Sequence, residues 1–203
     1  MDTNTFMSLF PGFCLQTFDD KGEDKSLTTF GKPEPNYLDH LRGLNSEGAG
    51  IFFTPNAFPS GVRKADQCTK VNAWFFEIDD VSFQEQWKRI HAAPLMPSLI
   101  VQTRKSLHSY YLAQDGTLEN FRTIQKGLIQ HFGADPACKD ISRVLRIPGF
   151  FHNKEEPISV DLVHEDAEYY TEAQMLAAFP YVEEQKLVSR LVEKPPTKSS
   201  LES

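Results

Sequence analysis

The chain of 203 residues is 40% hydrophobic and 12% aromatic, enough for one sizeable core and short for two full domains. Its formal net charge of -7 excludes indiscriminate nucleic-acid binding through bulk positive charge, while leaving room for a local basic groove. No apolar run is long enough to span a bilayer, and the opening MDTNTFMSLF lacks the basic start and cleavage site of a signal peptide, so the expected setting is cytoplasmic, with no membrane partner.

Residues 1 to 35 mix Phe with Gly, Pro and charged residues and define no clear element; Asp19 to Lys25 is expected as an exposed loop. Leu38, Leu41 and Leu44 recur at helical spacing before Gly48, and a strand is expected from Gly50 to Thr54. The next strand is Val71 to Ile78. Ser82 with Glu85 forms a capping-box pattern, after which Phe83, Trp87 and Ile90 line one face of a helix that stops before Pro94. Strand patterns return at Ser98 to Gln102 and Ser109 to Leu112. From Thr117, the residues Leu118, Phe121, Ile124, Leu128 and Phe132 predict a long amphipathic helix ended by Gly133. Arg143 to Ile147 and Ile158 to Val163 read as strands, and Thr171 with Gln174 caps a last short helix. Strands interleaved with helices predict an α+β (mixed α/β) domain over residues 1–185; the Pro- and Ser-bearing residues 186–203 read as a linker-like tail. The cysteines Cys14, Cys68 and Cys138 lie far apart, lack a Cys-x-x-Cys pair and leave one over after any bridge, which predicts reduced thiols.

Three clusters carry chemistry. Trp74-Phe75-Phe76-Glu77-Ile78-Asp79-Asp80 is a hydrophobic strand that runs into acids with no turn residue between. Side chains alternate along a strand, so Glu77 and Asp79 share one face. Two carboxylates beside an apolar core repel each other and raise the pKa of one, unless a cation lies between them. Oxygen ligands of this kind suit Mg²⁺ or Mn²⁺. The second cluster, Thr103-Arg104-Lys105-Ser106-Leu107-His108, packs hydroxyls, two cations and an imidazole into one tight connection able to bond a polyphosphate. The third runs from Asp135 through Asp140, Arg143, Arg146, Pro148 and Gly149 to His152 and Lys154, the most basic part of an acidic protein.

In this order the clusters resemble the archaeo-eukaryotic primase superfamily, most closely its plasmid and phage branch of RepB-like primases and primase-polymerases. Glu77 and Asp79 match the family's acid-x-acid strand end, with Glu in place of the commoner Asp, and Ser106 with His108 matches its Ser-x-His pair. The third acid is matched best by Asp135, with Asp140 a close rival. Arg143, Arg146, Pro148, Gly149 and Lys154 match an Arg-x-x-Arg-x-Pro-Gly run ending in Asn-x-Lys, in which His152 replaces the usual Asn. The likeness covers roughly Ile51 to Val163, and four ordered motifs are a specific signal.

The resemblance implies an RRM-like catalytic sheet packed with helices beside a smaller N-terminal α/β unit. It implies a metal-dependent nucleotidyltransferase that makes or extends primers on a single-stranded DNA template from nucleoside triphosphates, in plasmid, phage or mobile-element replication. Glu77, Asp79 and Asp135 or Asp140 would hold two Mg²⁺ or Mn²⁺ ions. Arg104, Lys105, Ser106, His108, Arg143, Arg146 and Lys154 would bind the nucleotide, His108 touching the triphosphate rather than the metals. A helicase domain or protein is the partner the family suggests beyond the tail. The alternatives are a metal-dependent nuclease and a replication-initiation module that binds DNA without chemistry.

Overall fold

The computed structural model describes residues 1–166 and 168–183. The boundary expected at residue 185 and the tail that follows lie outside them.

The N-terminal unit holds α1 (Thr3–Ser8), β1 (Leu15–Asp19), β2 (Thr29–Gly31), α2 (Tyr37–Ser46) and β3 (Ala49–Phe53). Of its strands, β3 matches the one expected from Gly50 to Thr54, while β1 escaped hydrophobic patterning because it buries polar groups. Gln16 donates to the carbonyls of Thr17 and Thr29 at 3.0 and 2.7 Å, and the Thr17 hydroxyl donates to the Leu27 carbonyl at 2.6 Å. Side-chain bonds replace the apolar alternation that would have marked the strand.

The second sheet is built on β4 (Ala73–Ile78), β5 (Leu99–Gln102) and β6 (Leu107–Ala113). All six residues of β4 and all seven of β6 are buried. The two strands pair antiparallel from Ala73↔Leu112 to Ile78↔Leu107, with β5 on the other side of β6. Between them in the chain lies α3 (Phe83–His91), started by the Ser82 hydroxyl, which accepts from Glu85 N at 3.4 Å. The long helix α4 (Leu118–Phe132) begins under the Thr117 cap and ends at Gly133, whose φ of 60° is the left-handed turn that glycine adopts without strain.

The remaining strands are short. The expected strand from Arg143 to Ile147 forms a ladder only at β7 (Leu145–Arg146), since Arg143 N donates to Asp140 O in a turn and Pro148 has no N–H. Then come β8 (Phe151–His152), β9 (Ile158–Ser159), β10 (Asp161–Glu165) and β11 (Tyr169–Tyr170), followed by α5 (Glu172–Ala178) with a complete Thr171–Gln174 capping box. The strand expected over Ile158 to Val163 is divided at Val160, whose N–H and carbonyl bond Phe150 and Gly149 instead.

Topology knits the two units together. The N-terminal sheet runs β2-β1-β3-β7, so its last strand comes from far down the chain; the second sheet runs β10-β5-β6-β11, with β4 along the other side of β6. Tyr110 and Tyr111 are neighbours in β6 and therefore face opposite ways. Tyr110 packs on Phe6, Phe10 and Phe53 of the N-terminal unit, while Tyr111 packs on Tyr170 and Phe179. Phe76 stacks on Phe132 of α4 with ring centroids 4.0 Å apart. One large apolar core results, with a small separate cluster of Cys14, Phe58 and Cys68, and the three cysteines are free and buried. Among the described residues no helix is long and apolar enough to cross a membrane.

Candidate functional site

A cleft of about 260 Å³ opens between the two sheets, lined by Phe52, Glu77, Asp79, Thr103, Arg104, Lys105, Ser106, His108, Arg143, Val144, Arg146, His152, Lys154 and Glu155. Its acidic wall follows from the register of β4 on β6. Glu77 lies opposite His108 and points to the same face as Tyr110, and His108 Nε2 meets Glu77 Oε2 at 3.1 Å. His108 was expected in the connection between strands, away from the acids; it sits within β6, against Glu77.

Asp135 joins this wall through the backbone. Its N–H donates to the Glu77 carbonyl at 3.0 Å on the free edge of β4, and its Oδ1 caps the following turn at Ala137 N, 2.8 Å away. The same edge is held nearby by Gln125 of α4, which accepts from Phe75 N at 3.1 Å and donates to Phe75 O at 2.8 Å. Asp135 Oδ2 is thereby free to accept from Arg143 Nη2 at 2.7 Å, and that nitrogen also donates to Glu77 Oε1.

These partners set the charge states. Burial pushes the Glu77 carboxyl up, but His108 and then Arg143 outweigh it and bring its pKa down to about 2. Among the described residues Asp79 has no such partner: burial raises its pKa, and the fields of Asp80, Glu77 and Asp135 raise it further. The Cys138 thiol behind the acids is pushed to about 12, chiefly by burial, and is inert as a nucleophile at neutral pH.

The basic wall is less free than its sequence promised. Arg146, across from Phe52 in the β3–β7 pair, forms two bonds to Asp20 at 2.6 and 3.2 Å and lies 4.5 Å from the Phe52 ring centroid. Asp20, in the loop expected to be exposed, has a side chain only 4% exposed and also accepts from Asn153 N at 2.7 Å. Nothing in the sequence singled it out. Gly50 makes room for this pair, because a Cβ there would stand 2.3 Å from Asp20 Oδ1. Arg104 donates to Glu155 at 3.2 Å and to the carbonyls of His152 and Glu156, tying the β5–β6 connection to the turn after β8. His152 lines the cleft with its pKa lowered to about 4, mainly by burial and then by Arg146, and is neutral at pH 7. Lys105 and Lys154 are exposed and, among the described residues, bear no carboxylate partner.

Ser106 is buried at the mouth, its hydroxyl 2.9 Å from that of Thr103. Asp140 stands apart: its carboxylate accepts from Ser142 N and Oγ at 2.9 and 2.8 Å and lines a separate groove with Ala65, Leu118 and Phe121. The cleft thus gathers Glu77, Asp79, Arg104, Lys105, Ser106, His108, Arg143, Arg146 and Lys154, reaches Asp135 through Arg143, and leaves Asp140 outside. Among the described residues no group of three or more Asp, Glu, His or Cys side chains is disposed to hold a metal ion as the side chains stand. Arg143 takes the place of a counter-charge between Glu77 and Asp135.

Solved structures share the fold. The fold is similar to the archaeo-eukaryotic primase domain of the cyanophage S-2L primase-polymerase, with 23% identity and a TM-score of 0.76 over 88% of this chain and 96% of that one. It is also similar to the catalytic domain of primase RepB′ solved with initiator DNA, at 18% identity and a TM-score of 0.63 over 87% of this chain and 90% of that one. No curated protein matches the sequence. The family described as the RepB DNA-primase N-terminal domain matches residues 56–186, and the chain belongs to that family. Its function is that of a DNA primase, a nucleotidyltransferase.

Proposed function

We propose that the cleft carries out metal-assisted, template-directed nucleotidyl transfer on single-stranded DNA, with Glu77, Asp79 and Asp135 holding divalent cations and the adjoining β5–β6 hairpin holding the triphosphate of the incoming nucleotide. The observation that carries this reading is the placement of a carboxylate set and a lysine- and serine-bearing hairpin side by side in one cleft, where β4 pairs with β6. Three carboxylates of which one, Asp79, lacks any cationic partner form a hard-oxygen donor set of the kind that suits Mg²⁺ or Mn²⁺. Divalent ions held there would supply the positive charge that favours an ionised primer 3′-hydroxyl and a departing pyrophosphate.

The remaining work falls to the chain's own groups. Lys105 and Lys154 are unpaired ammonium groups at the rim, able to approach phosphate oxygens without first breaking an ion pair. Ser106 can donate its hydroxyl to the same oxygens. Arg143 has to exchange its carboxylate partners for phosphate as the acids take up metal. Arg146, held by Asp20, shapes the wall rather than reaching across it, and Arg104 braces the hairpin against the turn after β8. His108, through the bond from Nε2, orients Glu77. Template binding rests on local charge near the cleft, as the acidic chain requires.

Nucleotide incorporation on unprimed and primed single-stranded DNA with Mg²⁺ or Mn²⁺ tests the reading. Extension products are expected. Cleavage of the DNA would select a nuclease, and retarded mobility with neither product would select a binding module.

A further inference from the structure

Asp79 and Ser106 belong to different connections, and the pairing of β4 with β6 ends at Ile78↔Leu107, one residue short of both. Beyond that pair no ladder sets the acid turn against the hairpin tip. The tip is closed internally, by Thr103 N donating to Ser106 O at 2.9 Å, which fixes its shape but not its place. A single side chain spans the gap. Gln86, on α3 and wholly buried, donates from Nε2 to Val81 O at 2.8 Å, just beyond the acids, and to Lys105 O at 2.8 Å. Its Oε1 accepts from Leu107 N at 2.8 Å. Both amide hydrogens and the carbonyl are thus used on backbone, and the partners dictate which way the amide points. The Lys105 carbonyl and the Leu107 N–H belong to the two peptide planes on either side of Ser106, so this one amide fixes both.

We infer that Gln86 is a positioning residue for nucleotide binding: it sets Lys105 and Ser106 at a fixed place relative to Asp79, so that one triphosphate meets the hairpin and the acids together. The inference rests on the reading of the cleft as a triphosphate site. It assigns Gln86 no contact with substrate. A buried amide with all its bonds made holds backbone more rigidly than packing alone.

Gln86→Met keeps the length and volume and removes all three bonds; Gln86→Glu keeps the acceptor for Leu107 and turns it against the two carbonyls. Each is assayed well below its melting temperature for single-nucleotide incorporation, for affinity towards inorganic tripolyphosphate in Mn²⁺, and for amide hydrogen exchange. The nucleotide KM is expected to rise about tenfold with kcat changed less than threefold, the pattern of lost ground-state binding. Tripolyphosphate affinity is expected to fall by about the same factor, with faster exchange confined to residues 103–107. A purely structural role would lower the melting temperature and leave KM and tripolyphosphate affinity within twofold, which would overturn the inference, as would loss of the folded state in both variants. If the unmodified chain incorporates no nucleotide, the primase reading fails, while tripolyphosphate binding and exchange still decide the role of Gln86.

Discussion

The two walls of the cleft carry similar residues in opposite arrangements. On the β3–β7 side, Arg146 and Asp20 close on each other, roofed by Phe52 and joined by Asn153 N, with the acid 4% exposed. On the β4–β6 side, one guanidinium is shared between Glu77 and Asp135 while Asp79 is left with like-charged neighbours. Arg143 and Arg146 are one helical turn's spacing apart in sequence, yet one belongs to a finished ion pair and the other to an unfinished set. A buried pair with every bond made is a structural joint, and breaking it strands a charge. An under-neutralised set of acids is a standing demand for cations.

The largest expected effect breaks the second wall. Asp79→Ala should lower nucleotide incorporation by about ten thousandfold or more, equivalent to about 5.5 kcal/mol, while thermal unfolding shows a melting temperature equal to or above that of the unmodified chain, because a carboxylate repelled by Asp80, Glu77 and Asp135 is gone. Next in size, Asp20→Ala should reverse the pattern: urea unfolding should show a loss of about 3 to 5 kcal/mol from the stranded Arg146, with incorporation per folded molecule less affected than stability.

Acid should sharpen the contrast. Glu77 remains ionised in the fold down to about 2 instead of the usual 4.5, so its pairing stabilises the chain fully above pH 4.5 and is lost as pH falls from 4.5 towards 2. That loss is on the order of 3 kcal/mol. Denaturant midpoints across this window should fall in the unmodified chain and fall less in Glu77→Gln, which has no such proton to bind. The smallest effect separates the rival acids: Asp140→Ala should change incorporation less than twofold, and Asp135→Ala at least a hundredfold, in the same primer-extension assay.

What the sequence disclosed and what it withheld follow from the range of the interactions. The run Trp74 to Ile78 and the leucine and phenylalanine spacing of α4 are local signals, and both elements stand within a residue or two of expectation. The pairing of Glu77 with His108 is a matter of register, settled by how β4 lies on β6, and no spacing along the chain reports it. Asp20 was illegible for the same reason: it meets Arg146 across most of the sequence, and its own neighbours Asp19, Lys21 and Gly22 look like any solvated turn. That Asp135, and not Asp140, stands beside Glu77 depends on one backbone bond, Asp135 N to Glu77 O, which no spacing along the chain reports. The basic motif was legible as composition but not as availability, since Arg104, Arg143 and Arg146 each spend their charge within the fold.

The outer edge of β4 bears on solubility as well as on the site. A strand of six buried residues with an open edge is a template on which a second chain can add itself, the usual start of ordered aggregation. Here Gln125 presents a primary amide to both polar groups of Phe75, and Asp135 presents a peptide N–H to Glu77, so that a side chain and a turn together impersonate the missing neighbour strand. The groups that hold Asp135 beside Glu77 therefore also deny that edge to other molecules, so a change that frees Asp135 also opens the strand to pairing.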